Sequence, residues 1–325
     1  MICRTATIIM SKKLGERLMQ KNEGLLFELK KNKILFAMLV PTLLFFILFN
    51  YLPMVGVYFA FTRFNFTDGL FKSPFVGFEN FAFLIKSGTL WKITWNTIFY
   101  NLCFIFIGNI LQVIVAILLS RLTSRVFKKL TQSIMFFPYF VSFVVVQAFV
   151  YAMLDSQSGM VTKLLASMGI EGFNAYGTPG VWVYIINVVY NWKWLGYGTV
   201  IYLAAIAGIN DELYEAANID GASAFRQIRH ITVPLLVPTF IILLLLALGN
   251  ILRGQFEMFY QLVGNNGLLY DTTDILDTFV FRTLRVTFDL GMGTAAGLYQ
   301  SLFGFLLIVA VNQLIKWKYP EYSLF

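Results

Sequence analysis

The sequence predicts an all-α membrane protein with six transmembrane helices and both termini in the cytoplasm. Three observations lead there. Of 325 residues, 58% are hydrophobic and only 13% are charged, too little polar surface for a water-soluble chain of this size. The apolar residues gather in six runs, each long enough to cross roughly 30 Å of hydrocarbon as helix. Lys and Arg collect on one side of those runs.

Taken in order, the predicted spans are about Ile34–Phe61, interrupted by Pro41 and Pro53, then Ile93–Leu119, then Leu130–Leu154 with Pro138 inside. Val181–Ile209 is the fourth, Pro234–Tyr260 the fifth and Gly293–Ile315 the sixth. The longer runs reach roughly 40 Å at 1.5 Å per residue, so tilt is expected. Residues 1–33 form a cytoplasmic N-terminal segment and residues 34–325 the transmembrane domain. The start MICRTATIIM is too short and interrupted for a cleaved signal, Met10 is an alternative start, and the first span serves as an uncleaved insertion signal. Within the segment, Leu25, Leu26, Phe27 and Leu29 make either a short interfacial helix or part of a solvated basic tail.

Orientation follows from the basic residues. With a cytoplasmic N-terminus, residues 1–33, 120–129, 208–233 and 316–325 share one side and hold sixteen Lys and Arg. The opposite side holds seven: Arg63, Lys72, Lys86, Lys92, Lys163, Arg282 and Arg285. The formal net charge of +8 is therefore a topology signal rather than a nucleic-acid surface. The single histidine, His230, and two distant cysteines, Cys3 and Cys103, provide neither a metal-ligand cluster nor a disulfide framework.

One polar loop, residues 210–234, interrupts the apolar pattern on the cytoplasmic side. Asn210 suits a helix N-cap, with Asp211 and Glu212 near the positive dipole end. Glu215-Ala216-Ala217 continues that helix with strong formers of little bulk. Asp220-Gly221 signals a turn, a second short helix follows over about Ala222–His230, and Pro234 sits where the next span begins. The product is a helix–turn–helix knob that a partner's cleft can grip.

The stretch Tyr214–Pro234 reads Glu-Ala-Ala, three residues, Gly221, nine residues, Ile231-Thr232-Val233-Pro234. It resembles the cytoplasmic coupling loop of ABC-importer permeases, in the maltose-type sugar-importer branch. The resemblance extends over roughly residues 90–320, with weaker support from Trp194-Leu195-Gly196-Tyr197 and Gly293-Thr294-Ala295-Ala296-Gly297. Asn50-Tyr51-Leu52-Pro53-Met54 and the short C-terminal tail are similar to importers of complex oligo- and polysaccharides, a subgroup that includes alginate importers. Val233 stands where Leu is usual and keeps the apolar contact.

The resemblance implies the ABC-importer permease fold in a bacterial cytoplasmic (inner) membrane. It also implies a second, homologous permease, two ATPase subunits docked on the coupling loops, and an extracytoplasmic solute-binding protein that delivers the substrate. Glu215, Ala216, Ala217, Gly221, Ile231 and Pro234 are then the ATPase-coupling residues. ATP and Mg belong to the partner subunits. The chain itself has no Walker-type phosphate loop and is not expected to be an enzyme.

Charged and polar residues within spans are the substrate-cavity candidates, because hydrocarbon penalises them unless a cavity or partner meets them. They are Asn191, Trp192, Lys193 and Trp194 in the fourth span and Asn250, Arg253 and Glu257 in the fifth. Aromatic rings beside hydrogen-bonding groups suit sugars, and a cation suits a uronate carboxylate. The competing readings are an interfacial aromatic belt for the tryptophans, snorkelling for Lys193, and an i, i+4 ion pair for Arg253 and Glu257. Between Gly264 and Asp289, the stretch Ile275–Val286 reads as a surface helix, a contact for the binding protein or a plain solvated segment.

Two other function classes compete. An ion-coupled secondary transporter calls for intramembrane acids and inverted repeats, of which the sequence offers only Glu257. A polytopic membrane enzyme calls for a HExxH motif, a His/Cys cluster or a nucleophile elbow, and the sequence has none.

Overall fold

The computed structural model describes residues 30–318. The reading of Leu25, Leu26, Phe27 and Leu29 lies outside the described residues. Among these residues there is no strand, only an isolated antiparallel bridge between Thr62 and Phe75.

The chain divides into two units, Met1–Val57 and Tyr58–Phe325. In the first, helix α1 (Lys33–Phe46) continues through a π-helical turn, Ile47–Tyr51, and a 3₁₀ stretch (Leu52–Phe61) leads into the second unit. No α1 side chain is buried; a helix apolar all round suits hydrocarbon as its solvent.

The second unit is built on two long helices, α3 (Thr89–Ser120) and α6 (Pro179–Ala207), which pack along much of their length. Around them lie α2 (Glu79–Lys86), α4 (Arg125–Phe140), α5 (Phe143–Leu154), α7 (Asp211–Ile219), α8 (Ala224–Gln227), α9 (Val233–Leu248), α10 (Phe256–Val263), α11 (Leu276–Arg285) and α12 (Leu290–Lys318). One apolar core gathers Tyr100, Phe104, Phe143, Trp182, Met258 and Phe259 where α3, α5, α6 and α10 meet. A second joins α2, α3, α11 and α12 around Leu84, Ile93, Leu276 and Ala295. A third, with Ala116, Tyr202 and Leu236, holds the ends of α3 and α6 to α9.

Among the described residues, four helical stretches are long and apolar enough to cross a membrane: Lys33–Phe61, Thr89–Ser120, Ala224–Leu248 and Leu290–Trp317. Three expected spans differ from the sequence reading. The fourth, Val181–Ile209, is the continuous helix α6 but is not among those four stretches. The third is not one helix: α4 and α5 meet at a 96° bend, and count as one further span only together. The chain leaves the helix at Val141, and Ser142 starts the next one, its Oγ accepting from the Val145 N–H. The fifth ends at Leu248; residues 249–255 are irregular, and helix resumes at Phe256. Gly249 and Gly254 flank this break, and glycine destabilises helix interiors by about 1 kcal/mol relative to alanine.

A polar stripe on α3 satisfies the backbone of residues 272–276, which lead into α11. Asn96 donates to the Asp274 carbonyl (3.0 Å), Tyr100 to the Thr272 carbonyl (2.9 Å), and Thr97 Oγ accepts from the Leu276 N–H (2.9 Å). The surface helix expected over Ile275–Val286 is α11, but Ile275 and Leu276 are fully buried, so this segment is packed, not merely solvated. Arg282 pairs with Asp274 at 2.5 Å, and Lys92 pairs with Asp271.

Candidate functional site

The loop of residues 210–234 is a knob with defined ends. Asn210 Oδ1 accepts from the Glu212 N–H at 3.0 Å, which caps α7. At the other end Gly221 sits at φ +69°. Its N–H donates to Asn218 O (3.1 Å), and the Ala222 N–H donates to Ala217 O (2.9 Å). That paired closure satisfies the last carbonyls of α7 and requires the left-handed conformation that glycine adopts without strain. Glu215 and Ala216 are exposed, and Ala217 is half-buried.

The second half of the knob is shorter than the expected Ala222–His230 helix, and it is continuous with the span. Ser223 caps α8, which passes through a π-helical turn at Ile228–Thr232 directly into α9. Proline in an α-helix clashes with the carbonyl four residues back; the wider turn just before Pro234 accommodates it. Ile231 is half-buried in that turn. Ile219 (87% exposed) and Phe225 (71%) project from the tip as uncovered apolar side chains.

Four residues that sequence reasoning did not single out hold the knob in place. Arg121, between α3 and α4, donates to Gln227 Oε1 at 3.0 Å and lies 5.3 Å from the Tyr214 ring centroid. The buried Gln227 donates to Asn218 Oδ1 (2.6 Å) and Ala222 O (3.3 Å). Tyr214 OH and Thr232 Oγ are 2.9 Å apart. No sequence signal links Arg121 with Gln227 across 106 positions. Gln227→Leu leaves Arg121 and Asn218 without this partner, and each lost hydrogen bond is worth about 1 kcal/mol. Faster amide exchange over residues 214–232, with exchange in α3 unchanged, is the expected result; unchanged exchange in the loop excludes the anchoring role.

The second feature is a cavity of about 570 Å³ beside the helix break, with Asn250, Arg253, Gly254, Asp277, Gln300 and Ser301 among its lining residues. Where residues 249–255 leave helix, side chains replace the lost backbone hydrogen bonds. Asn101 donates to Ile251 O (3.0 Å) and Arg253 O (3.3 Å), Gln300 donates to Leu252 O (2.7 Å), and Asp277 accepts from the Gly254 N–H (2.7 Å). Burial pushes the Asp277 carboxyl up from its ordinary value, and the Gly254 N–H opposes that shift.

Of the substrate candidates, only Asn250 and Arg253 line this cavity. The expected i, i+4 pair of Arg253 with Glu257 does not form. Arg253 lies in the break and Glu257 in the first turn of α10, so no continuous helix aligns them. The cluster Asn191–Trp194 disperses around α6. Asn191 bonds back to Asn187 O at 2.8 Å. Trp192 faces outward, 45% exposed. Trp194 packs between Tyr139 and Tyr190, 5.3 and 6.2 Å between ring centroids. Lys193 is neither snorkelling nor facing this cavity. It is 6% exposed, and its ammonium donates to the carbonyls of Pro138 (3.3 Å), Tyr139 (3.0 Å) and Val141. Among the described residues no His/Cys/Asp/Glu group is arranged to hold a metal ion.

Comparison with known proteins places these features in context. The model of the family "binding-protein-dependent transport system inner membrane component" matches residues 108–318. Protein LplB of Bacillus subtilis (strain 168) is 33% identical over 297 residues, 91% of this chain and 92% of the relative. The polygalacturonan/rhamnogalacturonan transport system permease protein YteP of the same organism is 31% identical over 309 residues, 94% of each chain. Among solved structures, a chain of a bacterial ABC transporter involved in the import of the acidic polysaccharide alginate superposes with a TM-score of 0.81. The sequence identity there is 29%, over 91% of this chain and 99% of that one.

Proposed function

The chain belongs to the family of binding-protein-dependent transport system inner membrane components, and on that premise we propose that it is the membrane-spanning permease subunit of an ATP-driven importer that carries an oligo- or polysaccharide into the cytoplasm. It acts in the bacterial cytoplasmic membrane with six spans and cytoplasmic termini, α4 and α5 together forming the third span and α6 the fourth. A second, homologous permease completes the pathway. Two ATPase subunits hold ATP and Mg, and an extracytoplasmic binding protein delivers the saccharide.

The observation that carries this reading is the knob. Glu215, Ala216, Ala217 and Gly221 fold as a capped, rigid projection whose tip exposes Ile219 and Phe225. Exposed apolar side chains on an otherwise polar, stiff loop suit burial in a partner protein's cleft. Chain isolated from its partners is expected to hydrolyse no ATP, and the complex captured through a tag on this chain is expected to hydrolyse it. Hydrolysis by the isolated chain overturns the reading.

The cavity at the helix break is the saccharide contact we favour, with Asn250, Gln300 and Ser301 offering hydrogen bonds and Arg253 offering a cation. Lys193, bound to three carbonyls, is not counted among its contacts. Two of the similar proteins handle acidic polysaccharides by name, polygalacturonan and alginate; for this chain, an acidic saccharide is the substrate class that Arg253 would serve. A charged hydrogen bond is worth about 1.5–3 kcal/mol. Arg253→Ala should therefore lower uptake of a galacturonate oligosaccharide about tenfold or more, and that of a neutral one of equal length much less. Equal losses remove Arg253 from charge recognition.

A further inference from the structure

Lys193 is buried in α6 with no carboxylate bonded to it; its partners are backbone carbonyls. An ammonium offers three donors, and burying it is costly unless each is met. Here each is met. The Pro138, Tyr139 and Val141 carbonyls stand at the C-terminal end of α4, where the chain turns through 96° into α5. The last carbonyls of a helix lack intrahelical partners and carry its negative dipole end. Lys193 thus caps a helix from another helix, and it does so at the bend. Its ammonium also lies 4.7 Å from the centroid of the Phe143 ring, on the far side of that bend. One turn along α6, Gly196 brings the two backbones together: a Cβ there would stand 2.1 Å from Met135 O.

At its opposite end α4 begins four residues after Arg121, which grips the knob through Gln227. Meanwhile α6 runs into the knob through residues 208–210. α4 is therefore fastened to α6 at its end, while at its start the α3–α4 corner is fastened to the knob through Arg121, which closes α3. The geometry points to Lys193 as a positioning residue for transport: it locks α4 and α6 into one lever, so that displacement of the knob swings the α4–α5 bend as a rigid piece. This rests on the coupling role of the knob. Without Lys193 the Tyr139 and Val141 carbonyls lose this donor, Pro138 O keeping only the Val141 N–H, and knob motion is absorbed between α4 and α6.

The test uses the tagged importer purified with its ATPase subunits, with Cys3 and Cys103 replaced by Ser. Spin labels go at Ile134 on α4 and Val188 on α6, both exposed, 63% and 67%. Distance distributions are recorded without nucleotide and with ATP plus vanadate. In the parent the distribution should be narrow and the same in both states. In Lys193→Met it should become nucleotide-dependent and about twofold broader, as expected when two packed elements are freed to slide. Lys193→Arg, which keeps the charge and donors, should restore the parent pattern. If Lys193→Met does not assemble, Arg121→Gln cuts the other attachment and should give the same nucleotide-dependent change. A distribution in Lys193→Met, or in its substitute, that is unchanged or broadened alike in both states overturns the lever, the latter because local packing alone predicts it. Glu215→Lys, followed by ATP hydrolysis and uptake, separates the two failures. If it leaves both at parent values, the coupling role itself falls and takes the lever with it. If it reduces uptake while the Lys193→Met distances do not respond to nucleotide, only the lever falls.

Discussion

Replacing Gly221 by proline is expected to abolish uptake by the assembled importer while leaving the spans inserted. Gly221 holds φ at +69° and donates its N–H to Asn218 O at 3.1 Å. Proline fixes φ near −65° and has no N–H, so both requirements fail together. Open space surrounds the position, with nothing within 4 Å of a Cβ built there. The loss is therefore conformational rather than steric. Gly221→Ala isolates that part, with a left-handed penalty of about 1–2 kcal/mol and a partial loss of uptake. Glu215→Lys reverses the charge on the exposed face of the same helix and should separate ATP hydrolysis from uptake. Uptake at the parent rate in Gly221→Pro, with normal protein levels, rejects the knob as the coupling element.

Gly196→Ala is expected to be strongly destabilising, because backbone occupies the space. Its Cβ would lie 2.1 Å from Met135 O, 2.5 Å from Met135 C and 2.7 Å from Phe136 Cα. No side chain can rotate to relieve that, so α4 must back away from α6. Overpacking of this kind costs about 1–3 kcal/mol, and separation also draws the α4 carbonyls away from Lys193. Gly180→Ala on the same helix is the control, since nothing lies within 4 Å of its Cβ. Thermal unfolding in detergent should shift downward for Gly196→Ala and stay put for Gly180→Ala. Equal midpoints contradict the close approach.

The helices were legible because a membrane demands long apolar runs, and the polar loop stood out against them. The knob was legible to the level of its cap at Asn210 and its turn at Gly221, since capping and left-handed glycine are local rules. The sequence reading of two spans as unbroken helices failed for related reasons. Apolar composition resumes immediately after Ser142 and continues through Ile251-Leu252, and hydropathy does not distinguish helix from irregular backbone. The flanking Gly249 and Gly254 were the available signal for the second break. An i, i+4 ion pair of Arg253 with Glu257, one of two readings the sequence offers, needs a continuous helix that the chain does not form there.

By itself the sequence determined the all-helical membrane class, the position of the knob and the residues at its turn. These depend on composition and on contacts within a few positions. Only the tertiary structure decided that Arg121 holds Gln227, that Asn101, Asp277 and Gln300 replace the hydrogen bonds of residues 249–255, and that Lys193 caps α4. The physical reason is the same in each case. The partners are backbone carbonyls, amides and side chains brought together across 23 to 152 positions. A carbonyl is common to every residue, so no letter of the sequence marks which one a buried lysine will find.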